Sequence, residues 1–202
     1  MKGLCLLSGG IDSIVSAYLV KKTGVKVDFL HFRVFENNRD EEEKIKSLAK
    51  KIGGKIFFAS HKKMLLEFQK KCETKFICVF CKKTMLIIAD EFAKKNMYDF
   101  IITGDNLGQV ASQTLKNMKF ISQGIETPIL RPLLGLDKQE IIDIAKKIGT
   151  YELSIKHALP CPFLPKRIVT KVNEKKYAKE IKKIDFKKMV NESLSTIEEI
   201  SR

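Results

Sequence analysis

At 202 residues the chain suits one domain with at most a small appendage, and it is long enough to bury a core without disulfides or metal as staples. Its net charge of +14, from 38 Lys and Arg against 24 Asp and Glu, favours a polyanionic partner such as nucleic acid, although solvated lysine faces give similar totals. No run approaches membrane-spanning length, glycines and Asp12 interrupt the N-terminus too early for a signal peptide, and five unevenly spaced cysteines give no disulfide framework, so a cytoplasmic protein with no membrane partner is expected.

Short β-rich runs alternate with amphipathic stretches, which predicts an α/β fold with a parallel sheet and helices on both faces. Strands are expected at 3–7, 25–32, 55–59, 99–103 and 128–130, and helices at 13–22, 40–52, 62–71, 79–95, 107–118 and 138–148. Gly24, Gly53, Gly54 and Gly149 fall just after helical patterns, as C-terminal stops do. Ligands of open α/β sheets bind beyond the carboxyl ends of the strands. That rule brings residues 8–13, 32–38 and 103–106 to one edge, the predicted nucleotide site.

The first of these stretches is Ser8-Gly9-Gly10-Ile11-Asp12-Ser13, between the apolar run Leu4-Cys5-Leu6-Leu7 and a helical pattern. A strand, a glycine turn and a helix point backbone N–H groups and a positive helix end at one spot, which suits a phosphate. Adjacent glycines let the backbone approach the anion, Ser8 and Ser13 add hydroxyl donors, and Asp12 beside phosphates calls for an intervening cation, Mg²⁺. The alternative is a plain strand-to-helix turn capped by Ser8 or Asp12. A Walker loop is excluded, because no Gly-Lys-Ser/Thr follows the glycines. The SGGxDS pattern instead resembles the PP-loop of the ATP pyrophosphatases, which cleave ATP between its α- and β-phosphates to adenylate an acceptor.

Cys78-Val79-Phe80-Cys81 is a CxxC followed at once by Lys82 and Lys83. Two thiolates so spaced can hold a metal, form a redox pair or do neither. Cys161 sits between prolines in Leu159-Pro160-Cys161-Pro162-Phe163, unlike an inert core thiol. Three cysteine ligands without a fourth suit an iron–sulfur cluster, 3Fe–4S or 4Fe–4S, whereas zinc would need His157 or Cys72 as well. Cys5 and Cys72 are expected in the core, and His31 and His61 show no partner pattern.

Residues 103–118, Thr-Gly-Asp-Asn-Leu-Gly-Gln-Val-Ala-Ser-Gln-Thr-Leu-Lys-Asn-Met, read as a strand end, a glycine turn and a helix whose first turn carries Gln109, Ser112 and Gln113. Those side chains can bond a base or ribose, or merely form a polar face. The segment closely resembles the tRNA 4-thiouridine synthase family, the ThiI-like tRNA sulfurtransferases. Pro128-Ile129-Leu130-Arg131-Pro132-Leu133, Asp137-Lys138 and Ile148-Gly149-Thr150-Tyr151-Glu152 are similar to the same family's downstream pattern.

The likeness covers about residues 1–165. It implies the Rossmann-like three-layer α/β/α fold of the PP-loop ATP pyrophosphatases (adenine nucleotide alpha hydrolase-like), with thiamine biosynthesis as an associated role. By resemblance ATP would sit on Ser8, Gly9, Gly10, Asp12 and Ser13, with Gln113 beside it and the adenosine near His31, Phe32 and Gly104. Lys82 or Lys83 would supply the cation for the α-phosphate, and Arg131 would hold pyrophosphate or the acceptor backbone. Some members ligate an iron–sulfur cluster through a CxxC and a later cysteine; Cys78, Cys81 and Cys161 match those places, with Cys161 also placed among the catalytic groups. The partners implied are tRNA, a sulfur donor and a second copy of the chain.

Family members also carry a THUMP-containing RNA-binding region, and some a rhodanese domain. Neither is expected in these residues, which leaves the RNA grip to a separate THUMP-type subunit or to the C-terminal residues 166–202. There, between 166 and 191, ten Lys and Arg stand against three acids. Tyr177, Ile181 and Ile184 could form one apolar helix stripe, with Lys175, Lys176, Lys179, Lys182, Lys183 and Lys187 on the other faces, so this lysine-rich extension is either a docked helix or an RNA contact. Two other functions compete: a stand-alone adenylating enzyme for a small molecule or sulfur-carrier protein, and a nucleotide- or RNA-binding subunit without catalysis.

Overall fold

The computed structural model describes residues 1–108, 113–156 and 159–200. In chain order it holds β1 (Lys2–Leu6), α1 (Ile11–Lys21), β2 (Lys26–Arg33), α2 (Arg39–Ile52), β3 (Ile56–Ser60), α3 (Lys62–Lys71), a 3₁₀ turn (Thr74–Phe76), α4 (Ile77–Lys95), β4 (Phe100–Ile102), α5 (Leu115–Ser122), β5 (Ile129–Leu130), α6 (Lys138–Lys147), α7 (Tyr151–Ile155), α8 (Glu174–Ile181), α9 (Phe186–Leu194) and β6 (Glu198–Ile200). The sheet order is β5-β4-β1-β2-β3-β6, parallel throughout except for β6, which runs antiparallel to β3.

Strand side chains alternate between two cores. Leu4, Leu30 and Ala59 face a cluster formed with α3, α4, α5, α8 and α9, while their neighbours Cys5, Phe29 and Phe58 face one formed with α1, α2 and α6. Because both faces are covered, the central strands read as nearly continuous apolar runs, and all five expected strands are present within a residue or so of their expected bounds. The fold class expected from the alternation is the one observed.

Three features differ from the sequence expectation. The helix expected at 107–118 runs instead over Leu115–Ser122, because Thr114 is its N-cap, accepting from the backbone N–H of Asn117 at 3.2 Å. Residues 109–112, with Gln109 and Ser112, lie outside the described residues. The lysine-rich segment is two helices, since Asp185 caps a new one by accepting from Lys188 N at 3.0 Å. Tyr177 and Ile184 are buried as an apolar stripe would require, Tyr177 with its ring 4.8 Å from that of Phe120 and 5.7 Å from that of Phe80, while Lys175, Lys176, Lys179, Lys182 and Lys187 are exposed. Finally, β6 covers the edge of β3, held by ion pairs from Arg33 to Glu198 at 2.5 Å and from Lys55 to Glu199 at 2.9 Å.

Asp90 on α4 fastens the turn before β5. It accepts from the backbone N–H of Thr127 at 2.8 Å and of Glu126 at 3.3 Å, and pairs with Lys94 at 3.1 Å. Burial would raise its carboxyl, but these donors outweigh burial and hold it below its ordinary value of 3.8. A depressed carboxylate stabilises above its unfolded pKa and loses that contribution as pH falls through the folded one. Asp90→Asn is therefore expected to cost about 1–2 kcal/mol at pH 7. Urea denaturation should show the gap to the parent closing as pH is lowered below 3.8.

Candidate active site

The carboxyl ends of β1 and β4 carry the site. Between β1 and α1 the loop is closed by its own serines: Ser8 N donates to Ser13 Oγ at 3.1 Å, the two hydroxyls lie 3.1 Å apart, and Ser13 Oγ donates to the Gly10 carbonyl at 3.3 Å. Gly9 has φ +75°, a conformation that strains other residues. Gly10 is the N-cap of α1 and provides no side-chain cap, which leaves the start of the helix to the loop. At the end of β4, Gly104 lies flat against this helix start, where an added Cβ would stand 2.6 Å from Ser13 N. Ser16 Oγ donates to the Thr103 carbonyl at 3.0 Å and ties α1 to the end of β4.

A cavity of about 230 Å³ opens there, with Ser8, Asp12, Ser13, Lys82, Gly104 and Gln113 among its lining residues. Those six expected residues converge from four separate parts of the chain. The two lysines differ in position. Lys82 lines the cavity, whereas Lys83 is buried and donates to the carbonyls of Phe120 at 3.2 Å and Gln123 at 2.6 Å, at the end of α5.

Asp105, which sequence reasoning left without a role, is the charge hub. It accepts from Lys82 at 3.1 Å, Arg131 Nε at 3.4 Å, Gln113 Nε2 at 3.3 Å and Thr103 Oγ1 at 3.0 Å. Burial pushes its carboxyl up, but Lys82, Thr103 and Arg131 prevail and hold it below the usual carboxylate range. Arg131 thus reaches the site through Asp105 and also donates to Ser122 Oγ at 2.7 Å. Asp12 meets a second unforeseen residue, Lys138 at the start of α6, at 2.6 Å. Both side chains are partly exposed, so this pair is weak enough to exchange for a metal or a phosphate.

His31 and Phe32 do not line the cavity. His31 is buried with Nδ1 2.8 Å from the Leu7 carbonyl, and burial lowers it to about 4, keeping it neutral. Phe32 is a core residue with its ring edge-on to His61 at 5.3 Å. Their side chains hold the strand end together, and the cavity takes its apolar wall from Leu6, Met85, Leu86 and Ile121 instead.

Cys78 and Cys81 are half-buried on the first turns of α4, and Cys161 is exposed. Burial pushes both α4 thiols up, and the neighbouring Cys161 pushes each further, so the three sulfurs lie within electrostatic reach of one another. As they stand, no group of three or more His, Cys, Asp or Glu among the described residues is arranged to hold a metal ion. His61, read from sequence as lacking a partner, has Nε2 3.3 Å from Cys81 Sγ. Its burial lowers it to about 4 and keeps the ring neutral. Cys72 stands apart, buried against the Glu180 carbonyl with its thiol pushed up to about 11, and Cys5 is core. His157 lies outside the described residues.

Comparison with known proteins places this geometry. The family model described as "Thiamine biosynthesis protein (ThiI)" matches residues 1–186. A probable tRNA sulfurtransferase of Methanocaldococcus jannaschii is 43% identical over 187 residues, covering 89% of this chain and 49% of the relative. One of Thermococcus kodakarensis is 44% identical over 185 residues, covering 88% and 49%. The chain thus spans about half the length of the relatives it matches. A solved 4-thiouridine synthetase–RNA complex with bound ATP superposes with a TM-score of 0.90 at 32% identity, over 99% of this chain and 55% of that one. The U34-tRNA thiolase NcsA of Methanococcus maripaludis, solved with its [4Fe-4S] cluster, shares the fold at 21% identity and a TM-score of 0.59, over 81% and 61%. With a serine-glycine loop facing a glycine on the next strand, and a match running over nearly its whole length, the chain belongs to the ThiI family.

Proposed function

We propose that the protein is an ATP-dependent sulfurtransferase that adenylates a tRNA uridine, of the 4-thiouridine type, and replaces its oxygen by sulfur. The observation that carries this reading is the convergence of Ser8, Asp12, Ser13, Lys82 and Gly104 on one cavity. Bound there, the phosphates of ATP would take N–H groups from the start of α1 and hydroxyls from Ser8 and Ser13. Asp12, released from Lys138, would hold Mg²⁺. The uridine O4 attacks the α-phosphorus, pyrophosphate leaves, and Lys82 neutralises the charge that builds on the α-phosphate oxygens. Sulfide-level sulfur from the donor then adds at C4, the C4–O4 bond breaks and O4 departs as part of AMP, a far better leaving group than oxide.

The thiols fit an iron–sulfur cluster in kind: Cys78 and Cys81 are three residues apart at the start of α4, and the exposed Cys161 acts electrostatically on both. Cys78, Cys81 and Cys161 would hold it, and when bound it supplies an iron site that can carry sulfide. Zinc is the competing metal. Protein purified without oxygen is expected to carry iron and acid-labile sulfide, and to lose both in Cys161→Ser; a colourless protein with stoichiometric zinc would remove the cluster.

Pyrophosphate release from ATP and Mg²⁺ is expected only when an unmodified tRNA transcript is added. Release with a small acceptor and no RNA would overturn the proposal in favour of a stand-alone adenylating enzyme. No release with any acceptor would leave a nucleotide-binding protein.

A further inference from the structure

We infer that the groove between the 3₁₀ turn Thr74–Phe76 and residues 162–167 seats unpaired RNA nucleotides next to the reacting base. The inference rests on the tRNA reading above and deepens it. The groove has a volume of about 610 Å³ and includes Lys75, Ile77, Phe163, Leu164, Lys166 and Arg167 among its lining residues. None of the lining residues is acidic. Lys75 is tied to Glu73, but Lys166 and Arg167 are exposed and make no ion pair among the described residues. Between these cations lies apolar surface, with Leu164 59% exposed. Cations for a backbone beside a platform for bases are the two parts of a single-strand site, the platform here being Leu164 with the buried Phe163 rather than an exposed aromatic.

The wall of the groove is built. Val169 N donates to the Lys75 carbonyl at 3.3 Å, and Leu164 N to the Cys161 carbonyl at 3.1 Å. From α5, Asn117 Nδ2 holds the Val169 carbonyl and Thr114 Oγ1 the Thr170 carbonyl, each at 2.8 Å. This fixes where Lys166 and Arg167 leave the surface.

Position makes the groove more than a basic patch. Ile77 is followed by Cys78, and Cys161 is followed by Pro162, so the groove begins where the thiols are. Five residues along α4 from Ile77, about 7.5 Å of helix axis, Lys82 lines the ATP cavity. One helix end therefore runs from groove to thiols to cavity. A strand of RNA lying in the groove would present its next base to both. The lysines of α8 and α9 are exposed, and none of them is among the lining residues of the groove or of the cavity.

The test compares the full chain with K166E/R167E, and with K50E/K51E on α2, which packs on the opposite face of the sheet and carries the same charge change. The probe is an unmodified tRNA transcript, with affinity measured by fluorescence anisotropy over a salt series. For K166E/R167E the dissociation constant is expected to rise at least tenfold and the log–log salt slope to fall by about 1.5, since each of the two side chains neutralises one phosphate in the parent. ATP affinity and melting temperature should match the parent, and the α2 control should weaken tRNA less than threefold. Parent-like affinity and slope in K166E/R167E overturn the groove and leave the sulfurtransferase reading standing. Unchanged tRNA binding with impaired sulfur transfer from a protein donor also overturns it, giving the groove to that donor. A parent chain that binds no tRNA also overturns the groove, and the sulfurtransferase reading then stands or falls on tRNA-dependent pyrophosphate release.

Discussion

Lys82→Ala is expected to lower kcat for tRNA-dependent pyrophosphate release by about 10²–10³-fold, the usual consequence of removing one preplaced group that stabilises transition-state charge. Lys82 lines the nucleotide cavity and is held 3.1 Å from Asp105, whose carboxylate is fixed in turn by Thr103, Gln113 and Arg131. In the proposed reaction the ammonium would thus be in place before the α-phosphorus becomes pentacovalent, and no reorganisation would be needed when charge develops. Because its contribution grows from ground state to transition state, the loss should fall on kcat more than on KM for ATP. Lys82 is 31% exposed, so the substitution should change stability by less than about 1 kcal/mol. Lys83→Ala is the informative neighbour. It strands the Phe120 and Gln123 carbonyls and should cost about 1–3 kcal/mol of stability in urea denaturation, with kcat nearly unchanged. If Lys82→Ala keeps kcat within threefold of the parent, Lys82 is not the α-phosphate cation.

What the sequence discloses here follows from how local each feature is. Strands such as Lys26–Arg33 are buried on both faces, so their apolar runs are visible without knowledge of the neighbours. Helix starts are legible where the cap is encoded within four residues, as in the reciprocal Asp137 and Glu140 capping box of α6. The strand Glu198–Ile200 is not legible, since its two glutamates make sense only opposite Arg33 and Lys55, more than 140 residues away. The same divide runs through the site. Ser8, Asp12 and Ser13 sit in one motif, but choosing Lys82 over Lys83 needs the helix orientation, about 100° between neighbours. The link from Asp105 to Lys82 and Arg131, and that from His61 to Cys81, are tertiary contacts of residues far apart in the chain. A signal for Asp105 did exist: an acid directly after the strand-end glycine falls at the carboxyl edge of the sheet, where an anion site needs cations and an acid needs partners.

Gly104→Ala should damage the site by a different route, through the backbone. The added Cβ would stand 2.6 Å from Ser13 N and 2.8 Å from both the Asp12 carbonyl carbon and Ser13 Cα. All three are main-chain atoms in the first turn of α1, so no side chain can swing aside and the helix start itself must move. That shift displaces the N–H groups proposed to hold phosphate, along with Asp12 and Ser13. The expected cost is about 1–3 kcal/mol of stability from overpacking. ATP affinity should fall at least tenfold in the fraction that remains folded. Gly24→Ala separates this effect from the general cost of replacing a glycine. Gly24 has φ +86° with no atom within 4 Å of a new Cβ, so it should lose about 1 kcal/mol through backbone strain and bind ATP as the parent does. Calorimetric titration with ATP and urea midpoints on the two variants decide the matter. Should Gly104→Ala bind ATP within twofold of the parent at an unchanged midpoint, close approach of β4 to the loop is not what shapes the phosphate site.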